Sequence, residues 1–317
     1  MTLNSMVDAI VAKGNITDAD VLALRRACYG DEKISRDEAS RLFEINDAAP
    51  SHTPAWTQLF TEALSDFVVH QMQPKGYVDE INAEWLITQI DADGKLESCN
   101  ELELLICILE KAKSVPACLN LYALNQVKRT VLSGEGVTRS GKKLKAGVVT
   151  EADVDMLRRI LYAYGSGDNI GITSEEAELL FDINDATATA NNHPSWNILF
   201  AQAIANHMMV AQGHVAKNRE TALRQEKWLD EKPGLDGYFT AMVKGLRDIY
   251  KGSRSAAGNV AKIASSEKIT SPEANWLTSR INKDGRITTA ERAVLTFIKH
   301  ESPDIDPVLR PLLDLVA

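Results

Sequence analysis

The second half of the amino-acid sequence repeats stretches of the first half in the same order. A chain with such an internal repeat is expected to fold into two related units. The stretch "ISRDEASRLFEINDA" at 34–48 returns as "ITSEEAELLFDINDA" at 172–186. In the same order, "AEWLITQIDADGKL" at 83–96 returns as "ANWLTSRINKDGRI" at 274–287. The matched stretches, together with "TPAWTQLF" and "HPSWNILF", align four tryptophans that we expect in the core: Trp56, Trp85, Trp196 and Trp276. The sequence therefore predicts a tandem duplication.

The two copies are joined by residues 133–149, which are rich in Gly, Ser and Lys. This composition is typical of a linker, so we predict a first domain at 1–132 and a second at 150–317. The second copy also carries a helical insert at about residues 213–268 that has no counterpart in the first. An ordered strap packed on both domains is the alternative interpretation of the joining segment.

Local patterns along the chain predict an all-α fold. Val21, Leu24 and Cys28 recur at three- and four-residue steps, which places them on one apolar stripe of a helix. Ser35 followed by Glu38 forms a capping box, and the second copy repeats this box in the same place. Runs with alternating polarity are too short to predict a sheet. The expected architecture is therefore two tandem-duplicated helical domains.

One glycine-containing loop in the second copy has the residues of a metal site. It resembles the calcium loop of EF-hand proteins, which has oxygen ligands at positions 1, 3, 5 and 12 and glycine at position 6. With Gly285 at position 6, Asn282 and Asp284 occupy positions 3 and 5, and Glu291 occupies position 12. Arg280 stands at position 1, where the ion needs an anion. The resemblance implies a degenerate EF-hand-like loop.

The matching loop of the first copy departs from the pattern at both ends, because Gln89 stands at position 1 and no carboxylate stands at position 12. With Gly94 at position 6, Asp91 and Asp93 occupy positions 3 and 5. The carboxylate at position 12 is missing, because Asn100 stands there and Glu101 follows one residue too late. The resemblance to the EF-hand superfamily thus covers the loop-flanking segments of both copies and leaves the helices between them unexplained.

EF-hand loops work in pairs that meet at position 8, so the resemblance implies partners for both loops. We expect Ile34 to pair with Leu96, and Ile172 to pair with Ile287. Each domain is then a pair of degenerate EF-hand-like loops with extra helices between its members. Asp, Asn and Gly are also ordinary turn residues between helices. A purely structural loop and a weak calcium site therefore both remain open.

Charge and motif content exclude several classes of function. The net charge is −9 and the isoelectric point is near 5.3, which argues against nucleic-acid binding and against attraction to anionic membranes. The sequence contains no phosphate-binding loop, no G-x-S-x-G motif and no histidine spacing typical of zinc or di-iron sites. We expect a cytoplasmic protein without catalytic residues or a cofactor.

The most economical hypothesis is a helical protein that acts by protein–protein contact or as a scaffold. Its partner surface is expected on the insert of the second copy, at the aromatic residues Trp228, Tyr238, Phe239 and Tyr250. One alternative is a weak calcium sensor or buffer that uses the loop at 280–291. Another is an enzyme whose site lies between the two halves and is built from residues that no motif exposes.

Overall fold

The computed structural model confirms the all-α class. The described residues are 3–29, 33–49, 53–92, 99–134, 146–163, 172–210, 271–281, 283, 285–301 and 306–316. Within these ranges the chain forms thirteen α-helices, one π-helical turn and one 3₁₀ turn, and no strand. The predicted insert lies wholly outside the described ranges, so its helices stay a prediction.

The chain divides into two compact units. The first comprises Met1–Gly147 and Asp155–Ser166, and the second comprises Val148–Val154 and Gly167–Ala317. One helix, Glu151–Ala163, therefore begins in the second unit and continues in the first. The boundary predicted at 133–149 remains a prediction, because most of that stretch lies outside the described residues.

Helices α1 to α7 belong to the first unit. α1 packs on α2 and α3, α4 packs on α2 and α6, and α7 packs on α5 and α6. A π-helical turn, Phe67–Gln71, continues α4. The helices are α1 Leu3–Lys13, α2 Asp18–Cys28, α3 Arg36–Ala48, α4 Pro54–Asp66, α5 Glu80–Ile90, α6 Cys99–Lys111 and α7 Ala117–Ser133.

Six further helices, α8 to α13, follow α7 along the described chain. α10 packs on α9 and α12, and a 3₁₀ turn at Pro307–Leu309 packs on α11. The C-terminal helix α13 packs on α12. The helices are α8 Glu151–Ala163, α9 Ser174–Ala186, α10 Pro194–Val210, α11 Ser271–Ile281, α12 Thr289–Glu301 and α13 Arg310–Asp314.

Aromatic side chains fill the centre of each unit in the same way. Trp56 and Trp196 are fully buried, as predicted, and each stacks at a tilt on a phenylalanine one turn later. Trp85 and Trp276 are half-buried and present their edges to a phenylalanine of α3 or α9. The edge-to-face pairs that correspond between the units are Phe43–Phe60 with Phe181–Phe200, and Phe43–Trp85 with Phe181–Trp276.

The chain leaves α7 and returns to it at one place. Gly134 ends the helix with a left-handed φ of +67°, and its N–H donates to Thr130 O at 3.0 Å. On the far side of residues 135–145, the Gly147 N–H donates to Val131 O at 2.8 Å. A Cβ on Gly134 would lie 2.8 Å from the Ala146 nitrogen. Glycine is thus required here both for its φ and for the close approach, and we call this place the glycine neck.

Capping boxes begin several helices, including the two predicted at Ser35 and Thr173. Two more boxes end in aspartates with opposite environments. Thr17 donates its N–H and hydroxyl to Asp20, whose carboxylate remains partly exposed. Thr150 makes the same two bonds to Asp153, which is 1% exposed. The Thr17 hydroxyl bond lowers the pKa of Asp20, whereas burial raises the pKa of Asp153 above 3.8.

The two boxes predict opposite effects of pH on stability. Asp20 stabilises the fold when it is ionised, so its contribution is present above pH 3.8 and is lost as the pH falls through its lowered pKa. Asp153 has a raised pKa, so its contribution is greatest at low pH and declines as the pH rises through that pKa. Asp20→Asn should therefore destabilise the protein at pH 7. Asp153→Asn should become progressively more favourable, relative to the parent chain, as the pH rises from 3.8 through the raised pKa of Asp153.

Thermal unfolding of both variants and the parent chain across this pH range measures these differences. Equal pH profiles for the two variants would contradict the assignment of opposite pKa shifts.

Candidate functional site

The sequence-predicted metal residues are only partly within the described chain. Asp91 and Glu291 are described, whereas Asp93, Asn282 and Asp284 lie outside the described residues. The predicted partner-binding residues Trp228, Tyr238, Phe239 and Tyr250 also lie outside them. The site is therefore built from the residues on either side of the second loop and from the helices that contact them.

Glu291 closes a helix start. It is the third residue of α12 and is 1% exposed. The Thr288 N–H donates to Glu291 Oε2 at 2.7 Å, and the Glu291 N–H donates to the Thr288 hydroxyl at 3.2 Å. These two bonds form a capping box, which the sequence "TTAE" at 288–291 is typical of. The alignment to the EF-hand loop did not predict it. One carboxylate oxygen of the predicted position-12 ligand is thus bonded to backbone.

Arg280, at the predicted first ligand position, is an internal counter-ion. It lies in the last turn of α11, and its guanidinium contacts three acids on successive turns of α9. The nitrogen–oxygen distances are 3.3 Å to Glu178, 3.1 Å to Asp182 and 3.4 Å to Asp185. The guanidinium also lies 5.0 Å from the centre of the Phe181 ring. Only 11% of the Arg280 side chain is exposed.

Two further bonds extend this ionic cluster. The Trp276 indole N–H donates to Glu178 Oε1 at 2.6 Å. Lys283, just beyond α11, lies 3.4 Å from Asp185 and 4.0 Å from Asp182. Two cations therefore face three carboxylates, and the acidic face of α9 is largely neutralised from within the chain. We call this group the α9–α11 ionic cluster.

A buried asparagine connects α9 to the neighbouring helices. Asn184 is 2% exposed. Its Oδ1 accepts the indole N–H of Trp196 at 3.4 Å, and its Nδ2 donates to the Thr288 hydroxyl at 3.0 Å. The same hydroxyl accepts the Glu291 N–H. Asn184 therefore ties the core tryptophan of α10 to the start of α12.

The first unit contains the corresponding asparagine with more partners. Asn46 Oδ1 accepts the Trp56 indole N–H at 3.4 Å and the Asn100 amide at 2.9 Å. Its Nδ2 donates to Glu101 Oε1 at 3.0 Å, and Asn100 in turn accepts the Thr57 hydroxyl at 2.7 Å. Asn46, Asn100 and Glu101 are all 2–3% exposed. The sequence patterns did not predict this buried network.

Glu101 and Glu291 occupy the same place in their helices. Each is the third residue of its helix, because α6 begins at Cys99 and α12 begins at Thr289. A gap-free alignment through Gly94 and Gly285 matches Glu291 to Asn100 instead, so Glu101 was taken to be one residue too late. The buried pattern of the helix that follows, rather than the loop, would have given the correct match.

The backbone of the predicted position-8 residues bonds to neighbouring helices. The Ile172 N–H donates to Asn206 Oδ1 at 2.9 Å, and His207 Nδ1 lies 2.8 Å from Ile172 O. In the described chain no backbone hydrogen bond joins Ile172 to Ile287. The Ile34 N–H donates to Gln71 Oε1 at 2.7 Å. Its predicted partner, Leu96, lies outside the described residues, so the loop pairing stays a prediction.

The second loop contains a glycine whose backbone conformation other residues rarely adopt. Gly285 adopts a left-handed φ of +69°. In the first loop, Asp91 follows α5 and accepts the Tyr122 hydroxyl at 2.7 Å. Burial of Tyr122 is the main reason why the pKa of its phenol is raised, and the hydrogen bond to Asp91 is the second reason. The tyrosine therefore remains protonated and donates a hydrogen bond to Asp91. No sequence motif predicted this contact between α7 and the end of α5.

His193 has a capping role at the start of α10. Its Nδ1 lies 2.7 Å from the Ser195 hydroxyl and accepts the Ser195 N–H at 3.4 Å. In the first unit Thr53 caps α4 at the corresponding position, where its hydroxyl accepts the Trp56 N–H. The serine–imidazole contact is therefore local to a helix N-terminus, the environment that such bonds commonly stabilise.

Among the described residues, no group of three or more His, Cys, Asp or Glu side chains is arranged to hold a metal ion. In the same part of the chain, no helix has both the length and the apolar character needed to cross a membrane. No family model, curated protein or solved structure matches this chain.

The two asparagine networks predict unequal losses of stability. Asn46→Ala should cost about 3 kcal/mol, because it leaves an indole, an amide and a carboxylate each short of a buried partner. Asn184→Ala should cost about 1–2 kcal/mol, because Thr288 still accepts the Glu291 N–H. Hydrogen exchange of the amides of α3 and α9 measures each unit separately. The exposed Asn125, whose amide bonds only within α7, provides the control Asn125→Ala. A larger loss for Asn184→Ala would contradict this ranking.

The ionic cluster predicts a second stability effect. Arg280→Met keeps much of the side-chain volume but removes the guanidinium, so it should destabilise α9 and α11 by about 1–3 kcal/mol. High salt should reduce the difference in stability between the parent chain and Arg280→Met, because salt screens exposed charges and Glu178 and Asp182 are 43% and 39% exposed. Arg310→Met, at an exposed position, is the matched control. Equal urea midpoints for the two variants would show that Arg280 contributes no net stability.

Proposed function

We propose that this chain is a non-catalytic helical protein that acts by binding another protein or as a scaffold, and that its EF-hand-like loops are structural. The structural role of the loops is supported by one observation: the guanidinium of Arg280 lies 3.1–3.4 Å from three carboxylates of α9. At the position where an EF-hand loop has its first acidic ligand, the chain supplies its own cation.

Electrostatics favours a structural loop over a calcium sensor. A calcium ion takes six to eight oxygen ligands, and its affinity depends on how many of them are charged. An arginine remains protonated at any working pH, so Arg280 both removes a ligand and repels the ion. The buried carboxylate of Glu291 would also have to give up its bond to the Thr288 N–H. Together these costs support a loop that is held in place without an ion.

The proposed origin of the two units is a tandem duplication. The support comes from equivalent contacts in equivalent places: Trp56 with Asn46 in one unit and Trp196 with Asn184 in the other, both at 3.4 Å. Duplicated cores that keep their contacts leave their surfaces free to diverge. The strongest divergence in sequence is the insert at about 213–268, present in one copy only.

We place the partner surface on this insert. Trp228, Tyr238, Phe239 and Tyr250 concentrate four aromatic residues in a stretch that the first copy lacks. Aromatic residues are enriched at the centres of protein interfaces, where they bury a large area and retain a polar edge. The partner is a protein of unknown identity, and the binding is proposed to be independent of calcium.

A single capture experiment tests the proposed function against its calcium-dependent alternative. The full chain is used as bait in native lysate, once with a chelator and once with millimolar calcium. We expect the same partner under both conditions, and we expect its loss with Trp228→Ala combined with Tyr238→Ala. Tyr77→Ala, at a 43% exposed aromatic of the first unit, is the control that should retain the partner.

Calcium-dependent capture would contradict the structural role of the loops and favour the sensor. Capture that survives the double variant would contradict the placement of the partner surface on the insert.

A further inference from the structure

The second part of α8 belongs to the first unit, although its sequence belongs to the second copy. Residues Asp155–Ser166 group with Met1–Gly147. In sequence, "EADVDMLRRILYA" of α8 matches "DADVLALRRAC" of α2, so Arg159 corresponds to Arg26. The first unit therefore contains its own copy of this helix and also part of the copy that follows the glycine neck.

Arg159 is the polar anchor of this part of α8. Its guanidinium reaches Glu110 with distances of 2.7 Å from Nε and 3.1 Å from Nη2. It reaches Glu103 at 3.3 Å from Nη1 and 3.4 Å from Nη2. The contact to each carboxylate is thus bidentate, the geometry that gives arginine pairs both strength and direction. The bond to Glu110 is the main reason why the pKa of Arg159 is raised.

The two acids form a seat on α6 for one guanidinium. Glu103 and Glu110 are seven residues apart, so two helical turns place them on the same face. Their side chains are 22% and 31% exposed, and that of Arg159 is 28% exposed. All three are therefore partly shielded from water, where an ion pair is stronger than at an open surface. Arg26, the counterpart of Arg159 in α2, is exposed.

Apolar burial accompanies the ion pair. Leu157, Ile160 and Leu161 recur at three- and four-residue steps on α8 and are 0–2% exposed. Burial of three such side chains stabilises the helix in its packed position. The anchor and the apolar stripe act on the same stretch of α8, residues 155–163.

We infer that residues 155–163 act as a docked helical ligand that completes the first unit, with Glu103 and Glu110 of α6 as its recognition site. The occupant is thus a segment of the same chain, recognised by an arginine between two glutamates. The glycine neck supports the inference, because Gly147 is already bonded to Val131 when the chain emerges from residues 135–145. The covalent connection through 135–145 is then dispensable for holding α8 on the first unit. This inference is independent of the proposed function.

A cut chain tests this inference directly. A specific protease site is placed within residues 138–143 of the full-length protein, and the folded protein is cleaved. The cleaved protein is then run on size-exclusion chromatography over a series of dilutions, which gives the dissociation constant of the two fragments. We expect the fragments to elute together. Glu103→Gln with Glu110→Gln should raise their dissociation constant about tenfold or more, because the arginine loses both charged partners. Arg159→Ala, which removes the guanidinium from the docked helix, should raise the dissociation constant to a similar extent. Arg26→Ala should leave the dissociation constant unchanged.

Thermal unfolding of each uncut variant establishes that it is folded before cleavage. Separation of the parent fragments would overturn the inference. An unchanged dissociation constant in both the double glutamine variant and Arg159→Ala would overturn it as well, since neither the recognition site nor its ligand would then matter.

Discussion

Each unit depends on one hydrogen bond, from a fully buried indole N–H to a buried asparagine. A tryptophan fills a large volume of the core, but its N–H must find an acceptor once water is excluded. Asn46 and Asn184 provide that acceptor for Trp56 and Trp196. Because an asparagine also donates, each holds a further helix: α6 through Glu101 and α12 through Thr288. One short polar side chain thereby fixes the relative register of three helices.

Charge plays a different part in the two units. In the second, Arg280 neutralises the acidic face of α9, and the corresponding position in the first unit is Gln89. In the first unit a comparable contact lies at α6, where Arg159 is held by Glu103 and Glu110. In both cases a guanidinium bridges carboxylates two helical turns apart. In both units the cation offsets the repulsion between neighbouring carboxylates, as a bound ion does in a metalloprotein.

Three features could be predicted from the sequence, because each rests on spacing within a few residues. They are the helical class, the capping boxes at Ser35 and Thr173, and the burial of Trp56 and Trp196. The partners of Arg280 did not follow, since Glu178, Asp182 and Asp185 lie about a hundred residues earlier in the chain. Glu101 was misplaced by one residue because the loop, rather than the helix, set the alignment. The burial of Asn46 and Asn184 did not follow either, because short-range rules for asparagine say nothing about burial.

The central claim is that the indole–asparagine bond organises each unit without any ion. Exchange of the indole N–H protons with solvent deuterium, followed by nuclear magnetic resonance on chelator-treated protein, tests it most directly. The account predicts strong and comparable protection for Trp56 and Trp196, unchanged when calcium is added. Exchange of either indole at the rate of an exposed tryptophan, or protection that develops only with calcium, would contradict it.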